Sequence, residues 1–127
     1  MNDETGSFSD AVGPVLCVEI KIEGHPVKAV VDTGAQSTIV SRSLLHDIAH
    51  HMKRQGSELP KLERPGVTLY RRSGENSGAL TITAQTEFEF SLSGRSVKSP
   101  VFIQPESEIL CLLGMNVLPR LGLHLVQ

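Results

Sequence analysis

The residues best suited to chemistry are Asp32, Thr33 and Gly34, which directly follow the apolar run Val27 to Val31. A carboxylate at the end of a strand can cap a turn, because Asp and Gly are common turn residues. It can also be catalytic, because the small residues after it let a substrate or another backbone approach closely. These three residues alone leave both interpretations open.

The segment around Gly114 adds a second pattern. It reads I-L-C-L-L-G-M-N-V-L, whereas the first pattern reads V-V-D-T-G-A-Q-S-T-I-V-S. Together the two resemble the retropepsins, the aspartic proteases of the retroviral type, over roughly Pro14 to Val126. Within that family the chain looks most like proteases of LTR retroelements or their domesticated relatives. Its first motif is also similar to the protease domain of DNA-damage-inducible ubiquitin-shuttle proteins.

The resemblance implies an aspartic endopeptidase without a metal or other cofactor, which would mature a retroelement or retroviral-like polyprotein and release itself. In such enzymes two carboxylates share one proton; one activates water, and the other donates to the scissile carbonyl oxygen. The sequence has no second D-T-G or D-S-G motif, and Asp3, Asp10 and Asp47 are not placed to complete the pair. We therefore expect a homodimer in which each copy supplies Asp32.

The resemblance also assigns further residues to the site. Thr33 would hydrogen-bond across the two-fold axis, and Gly34 would present its carbonyl to the substrate backbone. The cleft and its apolar pockets would be lined by Val30, Ala35, Gln36, Ser37, Ile39, Leu110 and Leu112. A flap would carry Gly74, Glu75, Asn76 and Ser77. For the four apolar residues of the cleft, plain core packing is an open alternative.

Two features depart from the retroviral pattern. Many retroviral enzymes pair an acidic residue at the position of Gln36 with an arginine at the position of Met115, and here both residues are uncharged. The proposed flap tip, Gly74 to Gly78, is also more polar than the tip of the retroviral enzymes. The polar tip leaves tight closure and subsite preference open.

The elements that must position these residues are mostly strands. Alternating apolar and polar residues predict a strand from Pro14 to Ile22, and Val27 to Val31 follows it as a hairpin that turns at Gly24 to Pro26. The other predicted strands cover Thr38 to Val40, Val67 to Tyr70, Ala79 to Thr83, the alternating run around Phe88 to Leu92, Val97 to Ile103, Ile109 to Leu113, and Leu121 to Val126.

One substantial helix interrupts the strands. The helix is predicted over Leu44 to about Gln55 with one apolar face, Ser41 or Ser43 would cap its start, and Gly56 would end it. A single helical turn is expected at 116–120. The fold class is therefore mostly β, and the resemblance implies a closed β-barrel of the acid-protease type with one helix.

The composition fits one domain. At 127 residues with 39% hydrophobic content, we expect a flexible leader over residues 1–13 and a protease-like domain over 14–127. The net charge of -2 and the scattered Lys and Arg argue against a nucleic-acid partner. No apolar run is long enough for a membrane span, which favours a cytoplasmic or other intracellular location. Cys17 and Cys111 lie in apolar runs and are expected as reduced, buried thiols.

Two other patterns in the sequence could indicate a site of a different kind. His46, His50 and His51 include an i, i+4 pair that could hold a metal, but no third strong ligand is placed, and such a helix face is usually solvated. The segment Gly74 to Gly78 resembles a serine-hydrolase elbow only loosely, because its order is G-x-x-S-G and the strand-turn-helix context is missing. Neither favours another chemistry.

The main functional alternative is a domesticated retropepsin-like domain that dimerises or binds peptides with weak or no proteolysis. The polar flap and the missing charged pair favour it. A ubiquitin-pathway protease domain would require flanking ubiquitin-related segments, which this sequence does not contain.

Overall fold

A computed structural model describes residues 16–66, 70–71, 78–79 and 81–124 of the chain. Six strands close into a barrel in the order β1-β2-β8-β3-β7-β6, and β4 and β5 form a separate two-stranded sheet. The strands are β1 (Cys17–Ile22), β2 (His25–Val31), β3 (Ile39–Ser41), β4 (Tyr70–Arg71), β5 (Gly78–Ala79), β6 (Ala84–Leu92), β7 (Arg95–Gln104) and β8 (Cys111–Leu113). Over the residues described, the prediction of a mostly β, closed barrel with one substantial helix is confirmed.

The first hairpin turns earlier than the sequence predicts. Its turn is Glu23-Gly24, with φ of 51° and 82°, and Pro26 lies inside β2 opposite Lys21. Positive φ at both central residues gives the turn a twist that matches the flanking strands. Proline is tolerated there because the second residue pair from such a turn does not use its N–H in the ladder.

Helix α1 spans Arg42–Arg54 and follows β3 directly. The Ser41 hydroxyl accepts the Leu44 N–H at 3.3 Å, so Ser41 is the cap rather than Ser43. At the other end Gly56 has a φ of 76°, and the Ser57 N–H reaches back to the Met52 carbonyl. This left-handed ending confirms Gly56 as the stop. The helix buries one face against the barrel through Leu44, Leu45, Ile48 and Met52.

The core fills the barrel and the space beneath α1. Alternate residues of β6 and β7 point inward, as the period of a strand requires. The largest of these fully buried side chains are Phe88, Phe90, Val101 and Ile103. Residues from β1, β2, β3, β8, α1 and the segment 117–121 complete the core, so the buried apolar side chains described form one cluster.

Four predicted strands differ from the structure. The run from Ile109 shortens to β8, with Ile109 and Leu110 exposed. The predicted strand over Ala79 to Thr83 is reduced to Gly78–Ala79 among the residues described. Of the strand predicted over Val67 to Tyr70, only Tyr70 is described, and it lies in β4. The predicted closing strand is wrong over 121–124, because a 3₁₀ helix spans Pro119–Leu121 and Gly122 caps it with a φ of 82°. Leu121 is buried in the core there, and residues 125–127 lie outside the described part.

The two cysteines lie in different environments. Both are free thiols, but Cys17 is exposed, which corrects the expectation that both would be buried. It begins β1 on the face that points away from the core. Cys111 is buried in β8, and burial raises the pKa of its thiol to about 12.

We expect a thiol reagent at pH 8 to modify Cys17 and leave Cys111 unmodified, because only the thiolate reacts and burial disfavours it at Cys111. Mass spectrometry of the labelled chain checks this. The Cys17→Ser variant should take up label only after denaturant is added. Rapid labelling of that variant in its folded state would contradict the buried position of Cys111.

Of the helices in the part of the chain that the structure describes, none has the length and apolar character required to span a bilayer. The predicted leader, residues 1–13, lies outside the described residues.

Candidate active site

Asp32 follows β2 at one end of the barrel. Strand β8 lies between β2 and β3, parallel to β2 and antiparallel to β3. The loop from Asp32 to Thr38 therefore has to pass around the end of β8 to join the two strands. The Asp32 N–H donates to the Leu113 carbonyl at 3.0 Å, and the Ala35 N–H closes a turn on the Asp32 carbonyl at 3.2 Å.

The Asp32 carboxylate is half-buried and oriented by its own loop. Its Oδ1 accepts the backbone N–H of Gly34 at 2.9 Å. A Cβ atom at position 34 would stand 3.3 Å from the same oxygen, so glycine leaves the approach to the carboxylate open. Thr33 and Gly34 are both exposed. A fixed carboxylate in an accessible loop can act as a proton acceptor or donor toward a bound molecule.

Gly114 has no room for a side chain. A Cβ atom there would lie 2.6 Å from the carbonyl carbon of Ser37 and 2.9 Å from its nitrogen. Because Gly114 passes so close to Ser37, two backbone hydrogen bonds form between the segment after Gly114 and the loop. The Met115 N–H donates to the Ala35 carbonyl at 2.8 Å, and the Asn116 N–H donates to the Gln36 carbonyl at 3.2 Å. The loop and the segment after β8 are thus joined through their backbones at the two positions where the retroviral pattern has a charged pair.

A buried polar cluster lies under the loop and was not singled out from the sequence. The fully buried Thr38 donates its hydroxyl proton to Asn116 Oδ1 at 2.8 Å and accepts the Gly114 N–H at 3.0 Å. The Asn116 amide donates to Ser99 Oγ at 2.9 Å and to the Pro100 carbonyl at 3.2 Å. The sequence shows a threonine and an asparagine beside the two motifs, which could have indicated this cluster. Their partners in β7, Ser99 and Pro100, follow only from the topology.

The predicted pocket residues separate into two groups. Val30 is paired with Leu112, and Leu112 is paired with Ile39, so these three lie in one row across β2, β8 and β3. All three are half-buried, whereas their neighbours Ala29, Val40 and Leu113 are fully buried. Leu110 is 43% exposed and outside any strand, and its carbonyl accepts the Ser41 N–H at 2.9 Å.

Of the remaining predicted site residues, the structure describes those of the loop and not those of the flap. Ala35 and Ser37 are half-buried in the loop, and Gln36 is exposed. The proposed flap residues Gly74, Glu75, Asn76 and Ser77 lie outside the described residues. Asp47 is exposed on α1 and therefore does not join Asp32.

The histidines of α1 lie on two sides of the helix. His46 and His50 are exposed, and the His51 ring lies 5.4 Å from the ring of His25. Over residues 16–66, 70–71, 78–79 and 81–124, no three His, Cys, Asp or Glu side chains are grouped as metal ligands would be. The arrangement around Asp32 is therefore that of a carboxylate site beside an apolar row.

Comparison with solved structures supports the barrel assignment. The EIAV protease, solved in complex with the inhibitor HBY-793, superposes with a TM-score of 0.65 over 91% of this chain and 96% of that chain, at 14% identity. The retroviral protease-like domain of Ddi1 from Leishmania major gives a TM-score of 0.53 over 84% of this chain and 72% of that chain, at 19% identity. At these identities the likeness establishes the fold.

Sequence comparison gives short, stronger matches. DNA damage-inducible protein 1 of Eremothecium gossypii is 60% identical over 30 residues, which are 24% of this chain and 6% of that protein. Protein DDI1 homolog 2 of Homo sapiens is 46% identical over 43 residues, which are 34% of this chain and 10% of that protein. The matches thus span a tenth or less of these relatives.

A family model covers most of the chain. The model of the "gag-polyprotein putative aspartyl protease" family matches residues 18–120, from β1 to the 3₁₀ helix. That range contains the Asp32 loop, the apolar row and the close passage at Gly114. The chain therefore belongs to the gag-type family of retroviral aspartyl protease-like proteins, as its two motifs predict.

Proposed function

We propose that the chain is one subunit of a homodimeric aspartic endopeptidase. The observation that carries the proposal is the Asp32 carboxylate, held by the Gly34 N–H in an accessible loop beside an apolar row. The membership of the family and the retroviral protease fold support it. The second carboxylate would be Asp32 of another copy, because the sequence has one D-T-G motif and Asp47 lies on the outer face of α1.

In the proposed reaction the paired carboxylates share one proton. The ionised one removes a proton from water as the water oxygen attacks the scissile carbonyl carbon, and the protonated one donates to the carbonyl oxygen. When the tetrahedral intermediate collapses, the C–N bond breaks, the amine nitrogen takes the proton that the first carboxylate had removed from water, and the hydroxyl formed at the carbonyl oxygen returns its proton to the second carboxylate. Thr33 would link the two loops across the two-fold axis, and the Gly34 carbonyl would bind the substrate backbone.

The substrate would be an extended peptide with apolar side chains at the cleaved bond. Val30, Ile39 and Leu112 form the row that such side chains would meet, and the exposed Leu110 would extend it. The gag-type family supports a retroelement or retroviral-like polyprotein as the natural source, including the precursor of this chain.

A peptide-binding dimer without turnover is the second candidate. It is favoured by the uncharged residues Gln36 and Met115, whose segments, the Asp32–Thr38 loop and the turn after β8, are joined by backbone hydrogen bonds and carry no ion pair at these two positions. Both candidates use the same cleft. They differ in whether a bound peptide is cut, which mass spectrometry of an apolar-junction peptide library decides directly.

A mixing experiment tests the shared site. We expect specific activity to fall on dilution, because monomers lack the second carboxylate. At constant wild-type concentration, a roughly fourfold excess of the Asp32→Asn chain should lower activity to about a fifth, since most wild-type chains then sit in heterodimers. A sedimenting monomer that cleaves at full rate would contradict the shared site.

A further inference from the structure

Two of the four buried hydroxyl side chains described have an evident structural use. The fully or nearly buried polar side chains described are Thr38, Ser41, Thr86 and Ser99. Ser41 caps α1, and Thr86 donates to the Lys61 carbonyl at 2.7 Å. Thr38 and Ser99 instead meet at Asn116. Burial of polar groups is costly unless each is paired, so a fully paired cluster fixes one arrangement strongly.

The direction of the hydrogen bonds in this cluster is set from β7. The Pro100 carbonyl only accepts, so the amide nitrogen of Asn116 must face it and Oδ1 must face Thr38. The single hydroxyl proton of Thr38 is then committed to Oδ1. Its lone pairs are left for the Gly114 N–H at 3.0 Å.

One peptide group connects this hydroxyl to the candidate catalytic residue. The peptide between Leu113 and Gly114 donates its N–H to Thr38 Oγ1 and accepts the Asp32 N–H at its carbonyl oxygen. The two ends of the Asp32–Thr38 loop are therefore bound to opposite sides of the same planar unit. Because that unit is rigid, its tilt sets both bonds together.

We propose that Thr38 and Asn116 are positioning residues, which hold the Leu113–Gly114 peptide in the orientation that places Asp32. The proposal rests on the function proposed above. A series of hydrogen bonds runs from β7 through the Asn116 amide, the Thr38 hydroxyl and this peptide to the Asp32 backbone. It gives the loop a directional anchor that the uncharged Gln36 and Met115 do not supply.

Thr38→Val tests the anchor because it keeps the shape of the side chain and removes only the hydroxyl. We expect kcat to fall about tenfold or more with KM changed less than about threefold, since a small misplacement of the reacting carboxylate affects the chemical step. Thr38→Ser, which restores the hydroxyl, should recover kcat to within about threefold of wild type. All rates are taken per active site titrated with a statine-type inhibitor.

Thr86→Val is the matched control. It makes the same change at a buried threonine whose hydroxyl donates to the Lys61 carbonyl, whereas the Thr38 hydroxyl accepts from the Leu113–Gly114 peptide. It should lower stability like Thr38→Val and leave kcat within about twofold of wild type. An equal fall of kcat in both variants, or a Thr38→Val enzyme with more than about half the wild-type kcat, overturns the proposal.

Hydrogen exchange gives a readout that does not need activity. In Thr38→Val the Asp32 and Gly114 amides should lose protection together, whereas Thr86→Val should leave both protected. If the wild-type chain cuts no peptide, the proposed endopeptidase function is wrong, but amide hydrogen exchange still tests whether Thr38 holds the Asp32 loop in place. Unchanged protection of Asp32 in Thr38→Val overturns the anchor whether or not the chain is a protease.

Discussion

Asp32→Asn is expected to lower peptide cleavage by at least about a hundredfold, which is the lower range for loss of a general acid-base group. The amide keeps the size of the side chain, and its oxygen can still accept the Gly34 N–H. In the proposed reaction the substitution removes the group that takes a proton from water. The free energy of unfolding should therefore change by no more than about 1 kcal/mol.

Asp47→Asn provides the control for this experiment. It makes the same chemical change on the exposed face of α1, and cleavage should stay at the wild-type rate. Initial rates on one fluorogenic peptide, at one chain concentration above the dimer dissociation constant, compare the three proteins. A residual rate of Asp32→Asn above about a tenth of wild type would rule out the paired carboxylates as the source of catalysis.

Gly114→Ala is expected to cost about 3 kcal/mol of unfolding free energy, at the upper end of overpacking effects. The added Cβ would meet the Ser37 backbone, which cannot rotate away as a side chain could. The midpoint of thermal unfolding should fall by roughly 10 °C for a domain of this size. Because Gly114 does not need a positive φ, the cost comes from the close passage alone.

Gly66→Ala is the matched comparison for the stability measurement. The nearest atom to its added Cβ is Gln85 Oε1 at 3.9 Å, an ordinary contact. That variant should be as stable as wild type or slightly more stable, because alanine restricts the unfolded chain. Denaturant midpoints at one protein concentration give the comparison, and equal midpoints for both variants would refute the steric account of Gly114.

The local features of this fold can be predicted from the sequence. The cap at Ser41, the stop at Gly56 and the alternation through Phe88 and Phe90 each depend on a few neighbouring residues, and each prediction is confirmed. The sequence predicts the first turn at Gly24 to Pro26, because both of these residues favour turns, and only the twist of the paired strands selects Glu23-Gly24.

For the candidate site, too, local patterns predict some features, and others depend on how distant strands pack. The D-T-G motif and the apolar residues before Gly114 are visible as short patterns, and the register of β2, β8 and β3 then aligns Val30, Leu112 and Ile39. The contact of Asn116 with Ser99 depends on how β7 lies beside β3, which no local pattern contains. The roles of Asp32 and of the cleft residues remain predictions that the experiments above address.

The position of β8 has a consequence for the order in which this domain folds. Strands β2 and β3 come from the first third of the chain, and the strand between them comes from residues 111–113. Contacts between segments so distant in sequence form slowly, because loop closure is unfavourable until they are made. During synthesis the Asp32 loop thus has no anchor until the C-terminal part of the domain has left the ribosome. A nascent or truncated chain would carry Asp32 without the bond to the Leu113 carbonyl, so the loop reaches its final arrangement only in a complete domain.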